Sequence, residues 1–229
     1  MAIPVPRVPR VPDGEIILSH PAGRDKLRLY VFAPSKRPRG EGAPSILLFH
    51  GGGWNGGHPR RLFARARYLA GRGMLAMSVE YRVAERHGTT PFECVADGRS
   101  VMRWVRRHAR EFGGAPARVV AGGGSAGGHV AAATATLSGF DEAGDDLSVS
   151  PRPDALVLFN PVIDNSPAGY GHERIGARRP DISPLHNIRS GVPPAVVFLG
   201  TEDHLIPVAT VLEFQRRMQA AGARCDVWT

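Results

Sequence analysis

Short apolar runs alternate with amphipathic stretches along most of the chain, and the alternation predicts strands and helices in turn. Glu15–Ser19 and Lys26–Ala33 read as two strands joined at Pro21-Ala-Gly23, an antiparallel hairpin. Ser45–His50, Met74–Val79 and Ala155–Asn160 are compact apolar runs, the pattern of buried strands, and Arg118–Ala121, Ala195–Gly200 and Arg224–Thr229 read as further strands. Between them, Pro59–Gly71 sets Leu62, Ala66 and Leu69 on one helical face and ends in glycine. Pro91–Phe112 reads as a long helix with Val95, Val101, Met102 and Val105 inward, closed by Gly113-Gly114. Ala126–Leu137 is an Ala-rich helix and Pro207–Ala221 an amphipathic one. Two stretches break the rhythm: polar Asp141–Pro153, and Pro161–Ile182, which has few periodic apolar positions. Strands alternating with helices imply right-handed crossovers, hence an α/β fold: a mostly parallel sheet of about eight strands, helices on both faces and the hairpin at one edge.

The N-terminal run Val5-Pro-Arg-Val-Pro-Arg-Val-Pro12 differs, because proline at every third residue forbids helix and favours an extended arm. The expected organisation is therefore an arm over residues 1–14 and one domain over 15–229. A chain of 229 residues with 42% hydrophobic and 22% charged residues can bury a single core without disulfide or metal staples. No apolar run reaches the roughly 20 residues of a membrane span, and the first twelve residues hold no signal-like apolar core, so a cytoplasmic protein away from membranes is expected.

The formal charge of +8 changes this picture little. All but two of the 29 basic residues are arginine, a skew that reads as coding bias. The densest clusters, Arg60, Arg61, Arg65, Arg67 and then Arg103, Arg106, Arg107, Arg110, fall at helical spacing, as on solvated helix faces. No aromatic-rich basic stretch offers a stacking platform, so nucleic acid is not an expected partner. Cys94 and Cys225 lie outside any metal-ligand or redox spacing and read as free thiols. The nine histidines form no ligand pair, so neither a metal nor another cofactor is expected.

Chemistry concentrates in two glycine-rich segments. Gly122-Gly-Gly-Ser125-Ala-Gly-Gly128 lies between a strand and a helix and contains G-x-S-x-G, the pattern of a sharp turn that projects a serine hydroxyl at a helix N-terminus. The same run satisfies G-x-G-x-x-G through Gly122, Gly124 and Gly127. A dinucleotide fold wants that loop after its first strand, with an acid at the end of the next; here the loop follows about the fifth, and the next strand ends in Phe159-Asn160-Pro161. The second segment, His50-Gly-Gly-Gly-Trp54, ends a buried strand and bares backbone N–H groups, the donors an oxyanion needs.

With Glu80-Tyr-Arg82 and Gly200-Thr-Glu-Asp203, these segments resemble the α/β-hydrolase superfamily, specifically its hormone-sensitive-lipase-like and acetyl-esterase branch of carboxylesterases, from residue 15 onward. The resemblance implies Ser125 as nucleophile, an oxyanion hole from the amides of Gly51, Gly52 and Ala126, and Asp203 as the acid. Asp203 can equally cap a helix, and Asp164 after the preceding strand is its competitor. The implied base is a histidine about ten residues beyond the last strand, a position this sequence does not reach. After Asp203 comes only its neighbour His204, which would rarely face the serine. The expectation is a fragment of a longer enzyme; the alternative is an inactive relative that binds ligand. His50 is expected to hold the glycine loop, His129 to pack or face solvent, and Trp54 either to wall a substrate pocket or to anchor its loop. The polar residues Tyr170, His172, Glu173, Arg174, Arg178 and Arg179 could shape a leaving-group site for a hydroxylated alcohol. The expected substrate is a small ester, with short-chain or acetyl esters, acetylated carbohydrate included, as the favoured class. A peptidase of the same fold is the enzyme rival.

Overall fold

The computed structural model describes residues 13–19, 26–35, 40 and 42–229. The proline-rich run and the turn Pro21–Gly23 lie outside them. Eight strands form one sheet in the order β1-β2-β4-β3-β5-β6-β7-β8. β1 (Gly14–Ser19) and β2 (Lys26–Phe32) pair antiparallel, and β2 joins β4 (Leu75–Val79) antiparallel. From β4 onward through β3 (Ala43–Phe49), β5 (Gly114–Ser125), β6 (Ala155–Pro161), β7 (Ala195–Phe198) and β8 (Cys225–Trp228) every pairing is parallel. The expected sheet, with its edge hairpin, is the one observed.

Strand alternation divides the core. Leu47 and Phe49 of β3 point to one side, where they meet Val101, Met102 and Val130; Ile46 and Leu48 point to the other, against Leu62, Phe63 and Ala66. The helices supplying these partners are α1 (Phe63–Gly71), α3 (Pro91–His108) and α4 (Ala126–Thr136), with α7 (Val208–Ala220) beside β8. Short turns α2 (Ala84–His87), α5 (His172–Ile175) and α6 (Arg179–Ile182) lie in the connections.

Boundaries depart from the sequence pattern where tertiary contacts decide. α3 starts at Pro91 in a capping box: the Thr90 side chain accepts from the Phe92 amide, and Glu93 accepts from the Thr90 amide. It ends at His108 rather than Phe112, because residues 109–112 tighten into a 3-10 turn. Likewise the 59–71 helix opens with a 3-10 turn over Pro59–Leu62. β5 runs from Gly114, four residues earlier than Arg118, where Gly114 pairs with Ala43 of β3 ahead of a register shift, and it reaches Ser125, which pairs with Pro161 of β6. Both cysteines are free and buried. Between α1 and the face carrying Ile46, Val120 and Val157 the sheet is open as an apolar groove of about 700 Å³. Among the described residues no helix is long and apolar enough to cross a membrane.

Candidate active site

Ser125 closes β5 and starts α4 with φ 54° and ψ −124°. A non-glycine residue held there costs on the order of 1–3 kcal/mol and persists only where the surroundings over-determine it. They do so here. A Cβ on Gly127 would stand 2.1 Å from the Phe49 carbonyl oxygen, so only glycine lets the first turn of α4 cross the end of β3. On its other side, the Ser125 carbonyl accepts from the Val162 amide at 3.1 Å. Ser125 thus lies over the carboxyl end of the parallel sheet, with the Ala126 amide at the N-terminus of α4 beside it.

The loop after β3 approaches from the next strand over. A Cβ on Gly51 would lie 3.2 Å from that of Ser125. Gly52 adopts φ 139°, and its carbonyl accepts from the amides of Asn55 and Gly56, which curls the loop into a turn. Three side chains hold the curl from beneath. The Tyr81 hydroxyl donates to the His50 carbonyl at 2.5 Å, and its ring stacks on the His50 imidazole. His50 Nδ1 lies 3.1 Å from the Gly51 carbonyl oxygen, and burial lowers its pKa to about 4, so it is neutral at pH 7. Trp54 is 2% exposed and donates through Nε1 to His129 Nδ1 at 3.3 Å.

That bond assigns the His129 tautomer. With Nδ1 accepting, Nε2 carries the proton and donates to the Ile182 carbonyl at 3.0 Å. Burial lowers the His129 pKa to about 4 as well. His129 therefore packs rather than facing solvent, and it links α4, the glycine loop and the end of α6. Of the two roles open to Trp54, the geometry supports the anchor: its ring lies in the core and does not line the cavity at Ser125. The 161–182 segment folds onto the same loop, as Tyr170 packs on Trp54 and Arg174 donates to the Gly53 carbonyl.

The cavity at Ser125 measures about 200 Å³. Of the residues expected to form the site, Gly51 and Ser125 line it, while Gly52 and Ala126 are their neighbours in sequence and do not. Asp203 lies elsewhere, in the turn after β7, where its Oδ1 accepts from the amides of Leu205 and Ile206 at 2.9 Å each. These bonds close a local turn and do not cap α7, whose N-cap is Pro207 with no side-chain hydrogen bond; Asp203 shares no hydrogen bond with Ser125, and His204 beside it is exposed. Asp164 accepts from the amide and hydroxyl of Ser166 and stands 3.9 Å from His186 Nδ1, which itself meets the Ser183 hydroxyl. Among the described residues no histidine hydrogen-bonds the Ser125 hydroxyl, and no group of three or more His, Cys, Asp or Glu could hold a metal ion.

Three features of the site escaped the sequence reading. Tyr81 stood inside a quoted motif without a role. Arg61 and Arg65, read as part of a solvated helix face, line the cavity, and so does Asn160 with its φ of 36°. An unusual backbone angle, and which members of a charged helix border a cavity, leave no mark in composition or spacing.

Residues 29–168 match the family described as BD-FAE. Carboxylesterase NlhH of Mycobacterium tuberculosis is 30% identical over 187 residues, which cover 70% of this chain and 56% of that protein. Esterase LipQ of the same organism is 30% identical over 228 residues, covering 89% and 52% respectively. The chain spans about half the length of the curated relatives it matches. Among solved structures, the apo form of Thermogutta terrifontis esterase 2 superposes with a TM-score of 0.88 at 38% identity, over 97% of this chain and 84% of that one. Its propionate-bound form gives 0.87 at 37% identity, with the same coverage.

Proposed function

The chain belongs to the BD-FAE family, among the α/β-hydrolase-fold carboxylesterases, and from that premise we propose that it is a serine carboxylic-ester hydrolase acting on short-chain esters. The observation that carries the reading is the backbone of Ser125, forced to φ 54° beside a curled glycine loop. In this mechanism the Ser125 hydroxyl attacks the ester carbonyl, its proton passing to a general base. The amides of Gly51, Gly52 and Ala126 hold the oxyanion, the alcohol departs with a proton, and water releases the acid from the acyl-enzyme. Asp203 serves to orient an imidazole base and to stabilise its charged form.

The size of the cavity supports small acyl groups, and propionate bound in a structural neighbour is consistent with that range. Acetylated carbohydrate belongs to the same proposal: polar Arg174 and Tyr170 lie over Gly53, where a hydroxylated alcohol could meet them. A second reading, a binding protein that uses the hydrolase pocket without turnover, is favoured by one observation, the lack of a histidine on Ser125 among the described residues. A peptidase is separated by assaying peptides beside acetyl esters.

The test is hydrolysis of 4-nitrophenyl acetate, propionate and butyrate, with and without added imidazole as a surrogate base, by the chain and by Ser125→Ala. The expected result is slow turnover that added imidazole raises at least about tenfold, a gain that Ser125→Ala abolishes, because nucleophile and base act as a unit. Hydrolysis that survives Ser125→Ala overturns the reading. Ligand binding with no Ser125-dependent turnover, even with imidazole, establishes the binding protein instead.

A further inference from the structure

We propose that the Ser125 cavity selects esters that carry a carboxylate. The inference rests on the ester-binding part of the reading above and adds a substrate class to it. Its origin is the charge lining the cavity. Arg61 and Arg65, both exposed, are among its lining residues, and no Asp or Glu lines the space. Neither arginine is ion-paired among the described residues, in contrast to several neighbours in sequence and on α3. Arg67, two positions on, meets Asp13; Arg99, Arg103, Arg106 and Arg107 of α3 each meet a carboxylate.

Two like charges four residues apart on one helical surface repel by a few tenths of a kcal/mol. Guanidinium groups stay charged at any pH the protein meets, and their planar donor fork fits a carboxylate through two parallel hydrogen bonds. An anion between Arg61 and Arg65 relieves the repulsion and takes up donors that nothing else in the cavity uses. The rest of the lining sets the shape of the ligand. Leu48, Leu62 and Phe159 give the same cavity apolar lining. About 200 Å³ accommodates a short chain of a few methylenes, so the fitting molecule has an ester at one end and a carboxylate at the other. Two chemistries satisfy this description: the half-ester of a short dicarboxylic acid, with its charge on the acyl side, and the acyl ester of a hydroxy acid, with its charge on the alcohol side.

The experiment measures equilibrium binding to Ser125→Ala by NMR titration, where no turnover intervenes. Monomethyl succinate is compared with methyl butyrate, and acetoxyacetate with propyl acetate. At low salt one anionic ester is expected to bind about tenfold more tightly than its neutral partner, the size suited to two partly solvated charges. Which one it is identifies the side of the ester that enters the cavity. The preference should fall to near unity in Arg61→Gln/Arg65→Gln and weaken in 0.5 M sodium chloride, while Arg61→Lys/Arg65→Lys retains part of it. Equal binding of charged and neutral esters, a preference that survives the double glutamine variant, or no saturable binding of any of the four overturns the proposal. Because hydrolysis is assayed separately on the unmodified serine, lost selectivity and lost turnover are distinguishable.

Discussion

Around Ser125 the chain is held by backbone packed on backbone, whereas around Asp203 it is held by a local turn at the surface. In the first region Gly127 meets the Phe49 carbonyl, Tyr81 meets the His50 carbonyl, and His129 joins Trp54 to Ile182, every partner more than thirty residues away along the chain. In the second, Asp203 accepts from Leu205 and Ile206, two and three residues ahead, while Leu205, Phe198 and Trp228 are exposed. A serine at a strained backbone angle needs a frame that cannot relax. A carboxylate that orients another side chain needs only a turn that presents it. The two regions should therefore respond to the same perturbation by very different amounts.

The largest contrast comes from adding one methyl group. Gly127→Ala drives a Cβ into the Phe49 carbonyl at 2.1 Å, which the structure relieves only by moving α4 off β3; a loss of about 4 kcal/mol or more is expected. Gly200→Ala, in the turn leading to Asp203, adds a Cβ with nothing within 4 Å and is expected to be neutral or to stabilise by about 0.5 kcal/mol. Urea unfolding of both variants reads the difference. Equal midpoints would mean that the first region is no more constrained than the second.

Acid should separate the same regions by pH window. His50 and His129 are held neutral, with pKa about 4 against 6.5 in the unfolded chain, because burial disfavours the charged ring. The unfolded state therefore binds protons first. The stabilisation is complete above about pH 6.5 and is lost as pH falls toward 4, by about 2 kcal/mol per histidine at pH 5. At the other end, hydrogen bonds from Arg216 and Arg217 lower Glu213 of α7 to about 2. Its effect is present above about pH 4.5 and is lost only as pH falls through 2. A stability profile from pH 7.5 to 5, with the two imidazoles followed by NMR, tests this. Rings that titrate near pH 6.5 would place both histidines in a wetter setting than the structure gives them.

The contrast between regions also explains what was legible in the sequence. Strands and helices were readable because each writes its own period, and Ser125 was readable because a tight strand-to-helix turn demands glycine within two residues on either side. The anchor under the glycine loop was not. Whether Trp54 walls a pocket or fills the core depends on His129, 75 residues later, and Tyr81 acts through a carbonyl 31 residues earlier. The early start of β5 was hidden for a related reason: Gly114-Ala-Pro-Ala has no alternating pattern and becomes strand because β3 lies alongside. Arg61 and Arg65 carried the signature of a solvated helix face, and periodicity does not say which of its members borders a cavity.

The smallest expected change in stability carries the sharpest question about Asp203. Its Oδ1 satisfies two backbone amides, and an asparagine at that position still offers an acceptor oxygen to both. Asp203→Asn should therefore stay within about 0.5 kcal/mol of the parent, while Asp203→Ala, which strips the turn of its acceptor, costs about 1 kcal/mol. Orientation of a charged imidazole needs the carboxylate itself, so Asp203→Asn should lower the kcat for short esters that added imidazole supports, by about tenfold or more at nearly constant KM. Asp164→Asn is the control that locates the acid, since Asp164 is the carboxylate with a histidine already nearby, His186 at 3.9 Å. If Asp164→Asn takes the loss in kcat and Asp203→Asn does not, Asp203 is a turn residue alone, and the acid lies just beyond β6, next to the strand that bears the serine.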